Sequence, residues 1–244
     1  MSYILIIGGN SDIGKALAND YAKDGNDLYL TSRDPLKISD FCSEISSKNK
    51  VKVLPKKLDI TDHKSHISFY KNLNPKPSGV LVCVGYLDNQ YDSQNNWEEC
   101  LKSINSNYIG IISILNIVAK DFIDMANNGF IVGISSVAGD RGRQSNYIYG
   151  SAKAGLSIYL NGLRNRMQNY NIHVLTVKPG YVNTKMTAHL NLPAVLTCSP
   201  EYISKKIISG QKKGKNIIYV KWFWKYIMYV IRIIPETIFK KLSL

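Results

Sequence analysis

The chain has 244 residues, 45% of them hydrophobic, and a formal net charge of +13. That length suits one α/β domain built around one sheet, and that apolar content excludes a chain too polar to fold. The four cysteines, Cys42, Cys83, Cys100 and Cys198, have no C-x-x-C spacing. They argue against a disulfide framework or a metal centre and read as free thiols in a reducing, cytoplasmic compartment.

The first apolar run, 3–8, is short and ends in glycines, which predicts a buried first strand rather than a signal peptide. Runs rich in Ile, Val, Leu and Tyr follow at 27–32, 51–55, 79–84, 129–134, 172–177 and 216–220. Several are apolar throughout, as strands buried on both faces are. Between them, helices are predicted near 13–24, 35–48, 62–72, 95–126, 147–169 and 200–213. The alternation predicts a single Rossmann-like α/β domain over 1–220, a doubly wound parallel sheet of about seven strands with helices on both faces. The loop-rich stretch 180–199 follows a strand end, where a substrate lid belongs in such a sheet.

The charge is concentrated at one end. From Lys205 to Leu244 there are ten Lys and Arg against one acid, Glu236, so this last sixth of the chain carries most of the excess. Residues 221–244 mix that charge with Trp222, Phe223, Trp224, Tyr226, Tyr229 and Ile231 and predict a C-terminal amphipathic helix. Trp and Tyr with Lys and Arg fit an anionic membrane surface, while nucleic acid is not expected because no recognition motif accompanies the charge. Lys221, Lys225, Arg232 and Pro235 interrupt the apolar stretch, so it should lie on a bilayer rather than span it. The alternative is a helix packed on its own sheet or on a second subunit, with its aromatics as core.

Two motifs carry chemistry. Gly8-Gly9-Asn10-Ser11-Asp12-Ile13-Gly14 joins the first strand to the first helix. Glycines there let the backbone approach a pyrophosphate, which the helix N-terminus binds through free N–H groups. Asp12 is an unfavourable neighbour for that anion unless it caps the helix, the role expected of it. Farther on, Tyr149-Gly150-Ser151-Ala152-Lys153 sets a phenol and an ammonium one turn apart on one helix face. A tyrosine titrates near ~10, and a neighbouring cation is expected to lower it toward a working acid or base. Ser136, at a strand end, is placed to hold a carbonyl oxygen. No metal-ligand pattern is present.

Together these residues make the chain resemble the short-chain dehydrogenase/reductase family over nearly its whole length. The resemblance implies a catalytic set of Asn107, Ser136, Tyr149 and Lys153. Tyr149 would be the general acid, and Lys153 would lower its pKa and hold the nicotinamide ribose. Ser136 would orient the carbonyl. Asn107, in Asn107-Tyr108-Ile109-Gly110, would support a water-linked proton relay through the lysine. Pro179, Gly180, Val182 and Thr184 match the family segment that grips the carboxamide, and Asp59 with Ile60 the segment that meets the adenine. Of the family's Asn-Asn-Ala-Gly after strand four only Gly85 survives. At the end of strand two, Ser32-Arg33 stands where an NAD site carries an acid, which favours NADP over NAD, although Asp34 could neutralise the arginine.

A closer resemblance runs from Ser135 to Asn146, through Met186-Thr187-Ala188-His189-Leu190, and along the ending from Tyr226. It is to the decaprenylphosphoryl-2-keto-D-erythro-pentose reductases within that family. It implies a 2-keto pentose on a polyprenyl phosphate as substrate, a flavin-dependent oxidase as partner, and a cytoplasmic enzyme peripheral on the inner face of the plasma membrane. Arg141 and Arg143 would bind the substrate phosphate, and His189 would be a polar residue of the lid. The small residues around Tyr149 imply a homo-oligomer, a dimer or tetramer. Two other readings stay open: a soluble reductase of a small ketone, sugar or acyl substrate, and a non-catalytic cofactor-sensing binding protein.

Overall fold

A computed structural model describes residues 3–126 and 128–242. Seven parallel strands form the central sheet: β1 (Tyr3–Ile7), β2 (Asp27–Ser32), β3 (Val53–Lys57), β4 (Pro77–Val82), β5 (Phe130–Ile134), β6 (His173–Pro179) and β9 (Ile217–Val220). Their order is β3-β2-β1-β4-β5-β6-β9, so the winding direction reverses between β1 and β4. Ligands of open α/β sheets bind outside the strand C-termini at such a reversal.

The apolar strands are buried on both faces because each alternate side chain meets a different helical layer. From β1, Ile4 and Ile6 point to one core, with Leu17 and Tyr21 of α1 (Asp12–Lys23), Ile38 and Ile45 of α2 (Leu36–Asn49) and Ile203 and Ile207 of α8 (Pro200–Lys212). Tyr3, Leu5 and Ile7 point to the other, with Tyr70 of α3 (His66–Lys71), Ile114 and Val118 of α6 (Gly110–Asp124) and Leu156 and Leu160 of α7 (Tyr147–Met167). Two short helices, α4 (Gln90–Asn95) and α5 (Trp97–Ile104), precede α6. Each is capped by an asparagine, Asn89 and Asn96 respectively, whose side chain accepts first-turn N–H groups.

The helix predicted over 95–126 is broken by a π turn at Asn105–Ile109, which tertiary packing imposes and no periodicity announces. The stretch Trp97–Asp124 is long and apolar enough to span a membrane by composition alone. Its Ile111, Ile114, Leu115, Val118 and Phe122 are fully buried in the core, which explains that composition. The expected lid, 180–199, contains a parallel ribbon of β7 (Tyr181–Val182) and β8 (Thr197–Cys198), two residues each.

The predicted single tail helix is two: α9 (Phe223–Ile233) and, after Pro235, the short α10 (Glu236–Phe239). Trp224 and Met228 on the inner face of α9 pack with Val137 on the body. The outer face leaves Trp222 74%, Tyr226 60% and Tyr229 64% exposed, beside exposed Lys225 and Arg232. The inner half is therefore core and the outer half a basic aromatic surface. Gly180 is required beneath it, because a Cβ there would lie 2.0 Å from the Trp224 ring.

Candidate active site

The first helix begins on a turn that only glycine makes easily: Gly8 has φ +91°, and a Cβ on Gly14 would sit 2.4 Å from the Gly8 carbonyl oxygen. Ser11, not Asp12, caps α1. Its hydroxyl donates to Gly8 O at 2.7 Å and accepts from Gly14 N at 3.0 Å. Asp12 occupies the first helical position and reaches across the cleft, where Oδ2 accepts the Lys185 N–H at 2.7 Å. That bond ties the glycine turn to the segment after β7.

From this turn a cleft of about 710 Å³ runs along the C-terminal edge of the sheet, within the usual range for ligand sites. Asn10, Ser11, Asp12 and Ile13 line one end. Gly85, Ser136, Tyr149 and Lys153 line the middle, with Pro179, Gly180, Val182 and Thr184 along the wall. His189 and Trp224 line the cleft as well. Among the described residues no group of acidic, histidine or cysteine side chains could hold a metal ion.

Adjacent serines at the end of β5 divide their labour by strand alternation. Ser135 is buried and donates to Lys153 O at 2.9 Å, pinning α7 to the sheet. Ser136 faces the cleft, accepts the Ala138 N–H at 3.1 Å and hydrogen-bonds with the Tyr149 phenol. Lys153 is only 2% exposed; its Nζ donates to Ile134 O at 3.1 Å and lies 5.7 Å from the Tyr149 ring centre.

The electrostatics differ from the expectation of a lowered tyrosine. Burial pushes Tyr149 up to about 12, the Asp88 carboxylate adds to the rise, and the Ser136 hydrogen bond opposes it. Burial also lowers Lys153 to about 8, the Cys83 thiol opposing. Without ligand, the pair is thus a firmly protonated phenol above a strained ammonium. That arrangement gives a proton rather than takes one.

Asn107 is fully buried at the centre of the π turn, outside the cleft lining. Its Nδ2 donates to Tyr86 O at 2.6 Å and Ser103 O at 2.9 Å, while Oδ1 accepts the Tyr86 N–H at 3.1 Å. With the amide engaged on both sides, it positions the Gly85–Tyr86 backbone. Arg141 also leaves the expected site. It donates to Ile231 O at 2.7 Å and Ile234 O at 2.6 Å and pairs with Glu236 at 2.9 Å. The last carbonyls of α9 lack intrahelical donors, so a guanidinium is drawn there instead of to a substrate phosphate. Arg143, by contrast, does line the cleft.

Ser32, Arg33 and Asp59 are not among the residues that line the cleft; Ser32 closes β2 and its hydroxyl accepts the Asp34 N–H at 3.2 Å. Arg33 is exposed. Asp34 turns to the head of α2, where Oδ1 accepts the Leu36 N–H at 3.1 Å, and it forms no ion pair with Arg33 among the described residues. Burial would raise Asp59, but two hydrogen bonds from Thr61 and the charges of Arg33 and His66 together hold it below the usual carboxylate value. The Ile60 side chain is core, packed beneath Gly110 rather than facing the cleft. Sequence reasoning passed over Asp88, Gln90, Asn146 and Trp224, which all line the cleft. The first two lie on the segment that leaves the C-terminal end of β4, a position that by itself marks the rim of a site in this architecture.

Comparison with known proteins agrees with this geometry. A family model described as short chain dehydrogenase matches residues 2–194. An uncharacterised oxidoreductase of Mycobacterium tuberculosis is 27% identical over 242 residues, covering 98% of this chain and 96% of that one. An NADP-dependent 3-hydroxy acid dehydrogenase of Schizosaccharomyces pombe is 28% identical over 189 residues, 75% of this chain and 73% of that protein. A short-chain dehydrogenase from Burkholderia cenocepacia, solved in complex with NADP, shares the fold with a TM-score of 0.85 at 16% identity, covering 100% of this chain and 98% of that one. The chain belongs to the short-chain dehydrogenase family and is an NAD(P)-dependent oxidoreductase.

Proposed function

We propose that the protein is an NADPH-dependent reductase of a keto group, the 2-keto pentose of a polyprenyl-phosphate sugar in cell-envelope polysaccharide synthesis. The observation that carries this reading is the double use of α9. Its inner face puts Trp224 into the wall of the cleft, and its outer face offers Trp222, Tyr226, Tyr229, Lys225 and Arg232 to the surroundings. Residues of this kind settle at a membrane interface, and anionic lipid adds about 1 kcal/mol per nearby Lys or Arg. A substrate on a polyprenyl chain is then met where it resides. The motif likeness from Ser135 to Asn146 and along the tail supports the same substrate. On this reading the protein is cytoplasmic and peripheral on the inner face of the membrane, follows a flavin-dependent oxidase that forms the ketone, and acts as a dimer or tetramer. The small residues of α7 do not themselves argue for the oligomer, since Gly150 packs on Ala138 and Gly155 on Tyr108 of the same chain.

The residues fit a nicotinamide dinucleotide. The glycine turn leaves no room for side chains under the α1 N-terminus, and a buried ammonium stands beside the phenol. Such a cofactor supplies the hydride. Ser136 and Tyr149 hold the carbonyl oxygen, and Tyr149 passes its phenolic proton to that oxygen as negative charge develops there. The Lys153 ammonium, one turn along α7, offsets the charge left on the phenol oxygen.

The preference for NADPH rests on Arg33, unpaired with Asp34, and accords with the NADP named for the fission-yeast relative and the Burkholderia structure. Arg33→Ala is expected to weaken NADPH binding about tenfold or more, the loss of one charge-assisted contact, with NADH nearly unaffected. Thermal stabilisation by each cofactor reads this out, and equal losses for both would overturn it. The substrate is tested with anionic liposomes carrying a polyprenyl-phosphate 2-keto pentose. NADPH oxidation and flotation of the protein with the vesicles are expected. Turnover confined to water-soluble ketones, with the protein left at the bottom of the gradient, would replace the proposal with a soluble reductase.

A further inference from the structure

Seven buried side-chain polar atoms lack a hydrogen-bond partner among the described residues, and four of them line the active-site cleft: Asp88 Oδ2, Gln90 Nε2, Arg143 Nε and Asn146 Oδ1. Buried polar groups are ordinarily paired, so four orphans in one cleft mark a place where something else supplies the partners. Two of them are also held in place. Asp88 is fixed through its other oxygen, which accepts the Ser103 hydroxyl at 2.9 Å. Gln90 is fixed through its carbonyl oxygen, which accepts the Ile148 N–H at 3.1 Å. Asn146 occupies the N-cap position of α7, yet its side chain caps nothing. An asparagine at that position ordinarily accepts a first-turn N–H, and here its oxygen is left over.

The set contains two acceptors, Asp88 Oδ2 and Asn146 Oδ1, and two donors, Gln90 Nε2 and Arg143 Nε. A hydroxyl both donates and accepts, so alternating partners of this kind suit neighbouring hydroxyl groups. A phosphate only accepts, and the Asp88 carboxylate would repel it, so Arg143 is not read as the phosphate-binding residue the sequence suggested. An alkyl or aromatic ketone would bury all four atoms with nothing to bond. The Asp88 charge acts on the Tyr149 phenol, and all four residues line the same cleft as that phenol.

We infer that Asp88, Gln90, Arg143 and Asn146 form a hydroxyl-recognition subsite that selects ketones bearing hydroxyl groups beside the reacting carbonyl. The inference rests on the cleft being the site of carbonyl reduction and deepens the keto-sugar reading, but it does not depend on the polyprenyl carrier.

The test compares kcat/KM for two water-soluble probes with NADPH, a methyl pentofuranosid-2-ulose and its counterpart lacking the hydroxyl adjacent to the ketone. A site built to bond a hydroxyl rejects the analogue lacking it, so wild type is expected to prefer the hydroxylated probe by about 100-fold or more. Asn146→Ala removes an acceptor that caps no helix. Gln90→Glu keeps the acceptor for the Ile148 N–H and converts the donor into an acceptor. Each variant, on a different element, is expected to narrow the preference to about tenfold or less. Equal turnover of the two probes by wild type, turnover of neither, or variants in which both rates fall together with the preference kept, would overturn the inference. Failure of the polyprenyl reading looks different: the lipid-linked ketone is not reduced while the hydroxyl preference on the soluble probes persists.

Discussion

Tyr149→Phe is expected to lower kcat by about 1,000- to 10,000-fold while cofactor affinity stays within about twofold, the size associated with removing a positioned general acid. The effect is large because Tyr149 is the phenol that is bonded to Ser136 and set against Lys153. Ser136 itself is a far weaker acid. Lys153 donates to Ile134 O from beneath. Phenylalanine keeps the ring that Lys153 lies against, so packing is retained and only the oxygen goes. Because burial holds the phenol up to about 12, it remains protonated across neutral and mildly alkaline pH. Reduction by wild type should therefore show no loss from Tyr149 deprotonation below about pH 10. Steady-state rates on any accepted ketone, with cofactor binding measured by fluorescence, check both parts. Unchanged turnover would remove the tyrosine from the chemistry.

Much of this site was legible because its signals are local. Strands buried on both faces read as unbroken apolar runs, and Tyr149 and Lys153 need only one helical turn to share a face. Where the reading went astray, the deciding partner is far away in sequence. Asp12 bonds Lys185, and nothing near Asp12 announces it, while Ser11 stands next to it as an equally good cap. Arg141 looked like a substrate residue beside Arg143, yet it bonds α9 carbonyls some ninety residues on. The β7–β8 ribbon has two residues a side, too few to show a period. Asp88 sits in a loop, Gln90 opens a short helix and Asn146 is a helix cap, positions where polar residues are the norm and only burial of their polar atoms distinguishes these three. The lowered tyrosine was a pairwise deduction. In the folded chain neither partner is among the causes of the other's shift, and desolvation moves the phenol up and the ammonium down.

That desolvation gives the lysine opposed effects on activity and stability. Lys153→Met is expected to reduce turnover by about 100-fold or more, since the charge that offsets the forming phenolate is gone, and yet to stabilise the fold at pH 7. The folded-state pKa is depressed from 10.5 to about 8 at a side chain only 2% exposed, which corresponds to about 3 kcal/mol against folding while the amine is charged. Methionine fills a similar volume without charge but leaves Ile134 O without its donor, a loss of about 1 kcal/mol. The net expectation is a gain of about 1–2 kcal/mol, or a few degrees in Tm for a chain of this size. The pH dependence isolates the cause. The unfolded chain holds the proton more tightly, so the penalty on wild type is complete below about pH 8 and is relieved as pH rises from there to 10.5. Denaturant midpoints for the two proteins should therefore converge and cross within that window, wild type ending ahead, and the variant's advantage should return on acidification. Parallel curves from pH 7 to 10.5 would show that the buried ammonium carries no such strain, and that the site holds its positive charge without the opposition between stability and catalysis argued from its burial.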